Sequence, residues 1–92
     1  MPELKRISEN AREFLAGKFK NTELGLIRIA KNLNLLHMTD ADIICHCRKI
    51  ILASPTEKIE QRGKNYYLYC PDYSAILTIN RSSLGIITAK RI

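Results

Sequence analysis

The chain is poor in the residues that specialised chemistry draws on. It has no tryptophan, three prolines, four glycines and three cysteines in 92 residues. Cys45, Cys47 and Cys70 make an odd count, so a closed disulfide framework would leave one thiol over, and a reducing cytoplasm is the expected address. No apolar run approaches the roughly 18–20 residues that cross a bilayer, and no basic segment leads into an apolar stretch with a small-residue cleavage site. A cytoplasmic protein with no membrane partner is therefore expected. Internal repeats, low-complexity segments and linkers are absent as well, which makes residues 1–92 one domain.

Acidic residues are scarce too, nine against fifteen Lys and Arg, which leaves a net charge of +6. The excess is uneven: residues 61–92 hold five basic groups and one acidic one, so this last third carries +4 of the +6. Such a local excess either attracts phosphates by counterion release or keeps the surface soluble. Hydrophobic residues make up 46% of the chain, and a domain of this size buries roughly 60–65% of its unfolded surface. A two-domain enzyme is excluded.

The first half reads with helical period and the second with strand period, an α+β signature. Pro2 and Glu3 suit a first turn, and Leu4, Ile7, Ala11, Phe14 and Leu15 form the apolar face of a first helix ending near Gly17. Asn21 or Thr22 caps a second helix with Leu24, Ile27, Ala30 and Leu33 buried beside Leu26 and Ile29. Thr39-Asp40-Ala41-Asp42 opens a third, whose face is Ile43, Ile44, Cys47, Ile50 and Ile51 and which Pro55 stops. The helical half is thus about 3–53. Strand-like runs follow at 64–70, 75–80 and 84–90, with a weaker one at 57–61, punctuated by Gly63, Pro71-Asp72 and Ser82-Ser83. Connections this short allow only antiparallel hairpins. The expected fold is three N-terminal helices packed on a C-terminal four-stranded antiparallel meander, about 57–91, with one face left open.

Cys45-His46-Cys47 with His37 offers zinc-ligand chemistry, but residues two apart on a helix point about 200° apart, so the two thiols cannot share one ion. Neither histidine is placed to activate a particular cysteine, and no phosphate loop, H-E-x-x-H pair or nucleophile elbow is present. No metal and no cofactor is implied. A helix-turn-helix reading of helices two and three is disfavoured by Asp40 and Asp42, which would meet phosphate at the start of the recognition helix. The remaining constellation is basic and aromatic. Arg62, Lys64, Asn65, Tyr66, Tyr67 and Tyr69 are followed by Thr78, Asn80 and Arg81, then by Thr88, Lys90 and Arg91. Alternation puts Tyr67 with Tyr69, Thr78 with Asn80 and Thr88 with Lys90. Tyrosines can stack bases while Lys and Arg hold phosphates. Cleavage of RNA by its own 2′-hydroxyl needs a proton acceptor, a proton donor and charge neutralisation. Lys64, Tyr67, Arg81, Thr88 and Lys90 are the candidates for catalysis, and Arg62, Asn65, Thr78, Asn80 and Arg91 for nucleic-acid binding.

Asn21-Thr22-Glu23-Leu24-Gly25 with Arg28-Ile29 and Lys31-Asn32-Leu33, then Gly63-Lys64-Asn65-Tyr66-Tyr67, Thr78-Ile79-Asn80, Ser83 and Ile86-Ile87-Thr88-Ala89, resembles a family of short bacterial proteins known as a domain of unknown function. The resemblance covers about residues 20–90, and Lys90 stands where the family usually has histidine. The order of helices and meander is also similar to the metal-independent ribonucleases that include RelE toxins, barnase and colicin nucleases. That likeness implies an RNA-binding or ribonuclease-like, toxin-like module. The alternative is a noncatalytic module that pairs its apolar helical half with another protein or with itself. Thr22 and Glu23 have a structural explanation as cap and dipole complement of helix two.

Overall fold

The computed structural model describes residues 9–92, so the expectations placed on Pro2, Glu3, Leu4 and Ile7 lie outside the described residues. Three helices, α1 (Glu9–Lys18), α2 (Glu23–Asn32) and α3 (Asp40–Ala53), precede four strands, β1 (Ile59–Arg62), β2 (Asn65–Cys70), β3 (Ala75–Asn80) and β4 (Ile86–Arg91). The strands pair antiparallel in the order β1-β2-β3-β4. This is the expected α+β arrangement.

Each helix ends for a local reason. The Thr22 hydroxyl accepts from Gly25 N at 3.0 Å and the Thr39 hydroxyl from Asp42 N at 3.2 Å, which satisfies one orphan donor of α2 and one of α3. α2 closes on Asn34, whose φ of 59° is left-handed. Leu35 N then donates to Ala30 O at 2.7 Å and Asn34 N to Lys31 O at 3.4 Å, a Schellman closure with asparagine in the usual glycine place. Buried Ser54 ends α3, donating to Ile50 O at 2.7 Å, and Pro55 follows. Two arginines strap α1 to α3: Arg12 donates to Ser54 O at 2.9 Å, and Arg48 to Ala16 O at 3.0 Å while lying over the Phe19 ring.

The core joins Leu15, Leu26, Ile29, Ile43, Ile50 and Ile51 of the helices to Leu68, Leu77, Ile79 and Ala89 of the sheet. Three residues assigned to buried stripes are exposed: Phe14, Leu24 and Ile27. The reason for the last two is the seat of α2. It lies beside β4, where a Cβ on Gly25 would stand 3.4 Å from Ile86 O. That contact turns Leu26, Ile29, Ala30 and Leu33 inward and rolls Leu24 and Ile27 out. On α1 the buried residues are Leu15 and Ala16, with Ala11 partly covered, so Phe14 points away.

α2 also covers the edge of β4. Asn32 Nδ2 donates to Ala89 O at 2.9 Å and to the Thr88 hydroxyl at 3.4 Å. Just before the helix, Lys20 bridges to Gly85 in parallel, exchanging backbone hydrogen bonds with Leu84 and Ile86. A bulge opposite Thr78 and Ile79 leaves Ile87 as the extra residue of β4.

Candidate functional site

Residues directly opposite in antiparallel strands share a face, so the register sorts the candidates. One row across the sheet is Glu60, Tyr67, Thr78 and Thr88. On one side of it lie Arg62, Asn65 and Asn80, and on the other Tyr69, Ile76 and Lys90. The helices cover the face bearing Leu68, Leu77 and Ile79, so these three rows make the opposite, open face. Arg62, Asn65, Tyr67, Thr78, Asn80, Thr88 and Lys90 are thereby brought together. Lys64 and Arg81 sit in turns, and Arg91, opposite buried Ala75, has the parity of the covered face.

The side chains differ in what they are free to do. The Arg62 guanidinium lies 4.6 Å from the centroid of the Tyr67 ring, and its Nε is 3.1 Å from Glu60 Oε2. Both partners of that ion pair are more than half exposed, where such a pair contributes on the order of 0–1 kcal/mol, so a phosphate can compete for the arginine. Asn65 Nδ2 reaches the Tyr67 hydroxyl at 3.5 Å. Thr78 is 9% exposed and forms the floor of the face. Lys90 is exposed at the β4 side.

Asn80 and Arg81 have structural work. Asn80 Oδ1 accepts from Ser82 N and Ser83 N at 2.9 Å each and from the Ser83 hydroxyl at 3.2 Å, an Asx turn that shapes the β3–β4 loop. Arg81 donates to Gly63 O at 2.9 Å, and the Gln61 amide, turned so that its oxygen faces the guanidinium, accepts at 3.0 Å. Arg81 therefore latches that loop onto the β1–β2 turn, where Gly63 at φ 57° supplies the positive φ that a two-residue hairpin needs.

Two contributors were not among the candidates. Glu60 lies in the central row, and Asn32 joins it from α2 by its bond to Thr88. Glu60 was legible only through register, and Asn32 only through the packing of α2 on the sheet edge.

The cysteine and histidine cluster does not converge. Cys45 is exposed and Cys47 fully buried, on opposite sides of α3, and burial pushes the Cys47 thiol up to about 12. It stays a neutral thiol packed in the core. His46 stacks edge-on against Tyr73 with centroids 5.2 Å apart, and burial, then the neighbouring Lys49 charge, holds its pKa below the usual value. Among the described residues no group of three or more His, Cys, Asp or Glu is arranged to hold a metal ion, and no helix is long and apolar enough to cross a membrane.

A cleft of about 640 Å³ opens at the Tyr69 end of the open face, lined by Glu57, Lys58, Glu60, Tyr69, Pro71 and Ser74 among others. Its walls mix both signs of charge. No curated protein and no solved structure matches the chain. A family model does match, over residues 14–90, a span that takes in the α2 cap, the Gly63 turn, the Asn80 turn and most of β4, and the chain belongs to that family, described as a protein of unknown function (DUF3781).

Proposed function

We propose that the protein binds single-stranded RNA across the open face of its sheet. The observation that carries this reading is the stack of Arg62, on the edge strand β1, over Tyr67 in the central row of that face. A ring and a guanidinium plane stacked together offer a base a π surface and a phosphate a bidentate donor, and Tyr69 and Lys90 repeat the pair of chemistries one row away. Tyr67 and Tyr69 are two residues apart on one strand, about 7 Å, so successive bases can engage successive rings. The net +6 supplies the long-range attraction.

The geometry supports binding over cleavage. Lys64, Tyr67, Arg81, Thr88 and Lys90 are spread over two turns and two strands, and the Arg81 guanidinium is engaged by Gly63 and Gln61. None of the five lines the cleft at the Tyr69 end. The likeness to ribonucleases rests on the order of elements, and fold alone does not carry an activity.

Anisotropy of a labelled uridine 12-mer against salt tests the reading. Each phosphate neutralised contributes about −0.7 to the slope of log affinity against log salt, and a slope of about −2, with the RNA intact after prolonged incubation, is expected. Absence of salt-dependent binding would sink the proposal, and fragments on a gel would restore the ribonuclease reading. Exposed Leu24 and Ile27, 57% and 51% accessible on α2, favour a second reading, noncatalytic self-association. A mass that rises with concentration in light scattering supports it, and a constant monomer mass rules it out.

A further inference from the structure

The open face does not stop at the edge of β4. Asn32 bonds to Thr88, a member of the central row, and to Ala89 O, so α2 lies flush against the strand on the side where the sheet would otherwise end. Gly25 approaches Ile86 O and Asn32 approaches Ala89 O, so helix and strand run side by side in the same direction. Seven helical residues rise about 10 Å and three strand residues about the same, so the two stay in step. Arg28 lies between these contacts, one turn from each, level with Ile87 and Thr88.

Residues four apart on a helix stack on one another. Leu24, Arg28 and Asn32 therefore form one column, and its last member touches the central row. All three are exposed, and among the described residues no hydrogen bond, ion pair or ring contact engages the Arg28 side chain. Beside the column the bulge of β4 turns Ile87 outward, 39% exposed. The exposed leucine that sits badly as core fits well here: a cation flanked by aliphatic surface suits a phosphodiester chain, whose phosphates seek charge and whose sugars seek apolar contact.

We infer that the RNA surface continues over the β4 edge onto α2, with Arg28 as a phosphate contact and Leu24 and Ile87 as the apolar ground beside it. This rests on the reading that the open face binds RNA, and it names a second element of the site. From the Tyr69–Tyr67 pair on β2 the RNA would turn across the sheet, over Thr78 and Thr88, to Asn32 and Arg28.

The test is anisotropy with the uridine 12-mer on wild type, Arg28→Ala, Arg28→Gln, and a control of equal charge loss, Lys49→Ala, whose lysine is exposed on α3. Circular dichroism confirms that each variant is folded. Both Arg28 variants are expected to lose about three- to tenfold in affinity and to flatten the salt slope by about 0.7, the signature of one lost phosphate contact. Lys49→Ala is expected to change neither by more than twofold. Equal losses in the Arg28 and Lys49 variants would overturn the inference while leaving RNA binding standing, because only net charge would then matter. A wild type that binds no RNA overturns both readings together.

Discussion

Leu77 and Thr78 are consecutive on β3 and experience different worlds. Leu77 is fully buried among Leu68, Ala89 and the helices, whereas Thr78 is the floor of a face rimmed by tyrosines, arginine and lysine. The same four strands supply both surfaces. One is aliphatic at its centre, where Leu68, Leu77, Ile79 and Ala89 are buried, and its interactions are nondirectional. The other is mixed, and each polar group on it has its own geometry: a stack, an exposed ion pair, an amide reaching a phenol. On the proposed reading, stability belongs to one face and recognition to the other, because a residue cannot be fully desolvated and remain available to a ligand.

Paired substitutions break that contrast if it is wrong. Leu77→Ala removes a fully buried side chain and is expected to cost about 3 kcal/mol in urea unfolding. Tyr67→Ala, in the neighbouring strand on the other face, is expected to cost under about 1 kcal/mol of stability. Its effect belongs in RNA affinity, about 5- to 100-fold for one lost stacking platform. If the two cost equal stability, the open face is itself a covered surface. Asn80→Ala sharpens the boundary between the classes. It strips the β3–β4 turn of three hydrogen bonds and is expected to lose about 1–2 kcal/mol, with RNA affinity at moderate temperature little changed.

The smallest effect lies outside the sheet. His46 has a folded pKa below its unfolded value, so the unfolded chain binds more protons in that range. Its contribution to stability is fully present above the unfolded value and is lost as pH falls through the folded one. His46→Gln is expected to flatten the slope of unfolding free energy against pH just below the ordinary histidine range, and an unchanged slope would remove His46 from the account.

The element order, the antiparallel meander, the Thr39 cap and, as one of two candidates, the Thr22 cap were legible because each has a local cause: period, turn residues, a hydroxyl before an apolar run. Alternation also paired Tyr67 with Tyr69, Thr78 with Asn80 and Thr88 with Lys90 within their strands, and the register then brought the three pairs onto one face. Three features were not legible. The roll of α2 depends on Gly25 meeting Ile86, sixty-one positions away. The Schellman closure at Asn34 uses a residue that only tolerates the left-handed region. The pairing of Glu60 with Arg62 along β1 requires knowing that the weak run at 57–61 becomes a strand spanning Ile59–Arg62. The first is decided by a contact between distant segments, and the other two by which backbone conformation a short stretch adopts.

The two edges of the sheet are finished in opposite ways. β4 is covered by α2, whose Asn32 donates to Ala89 O, while β1 is four residues long and carries charge at Glu60 and Arg62. The sheet therefore has one edge covered by a helix and one left bare. Local opening is expected to favour β1, an uncovered edge, over β4, which α2 covers, and amide exchange measured strand by strand checks that order. A surface that must hold its rows in register is built outward from its most securely fastened strand.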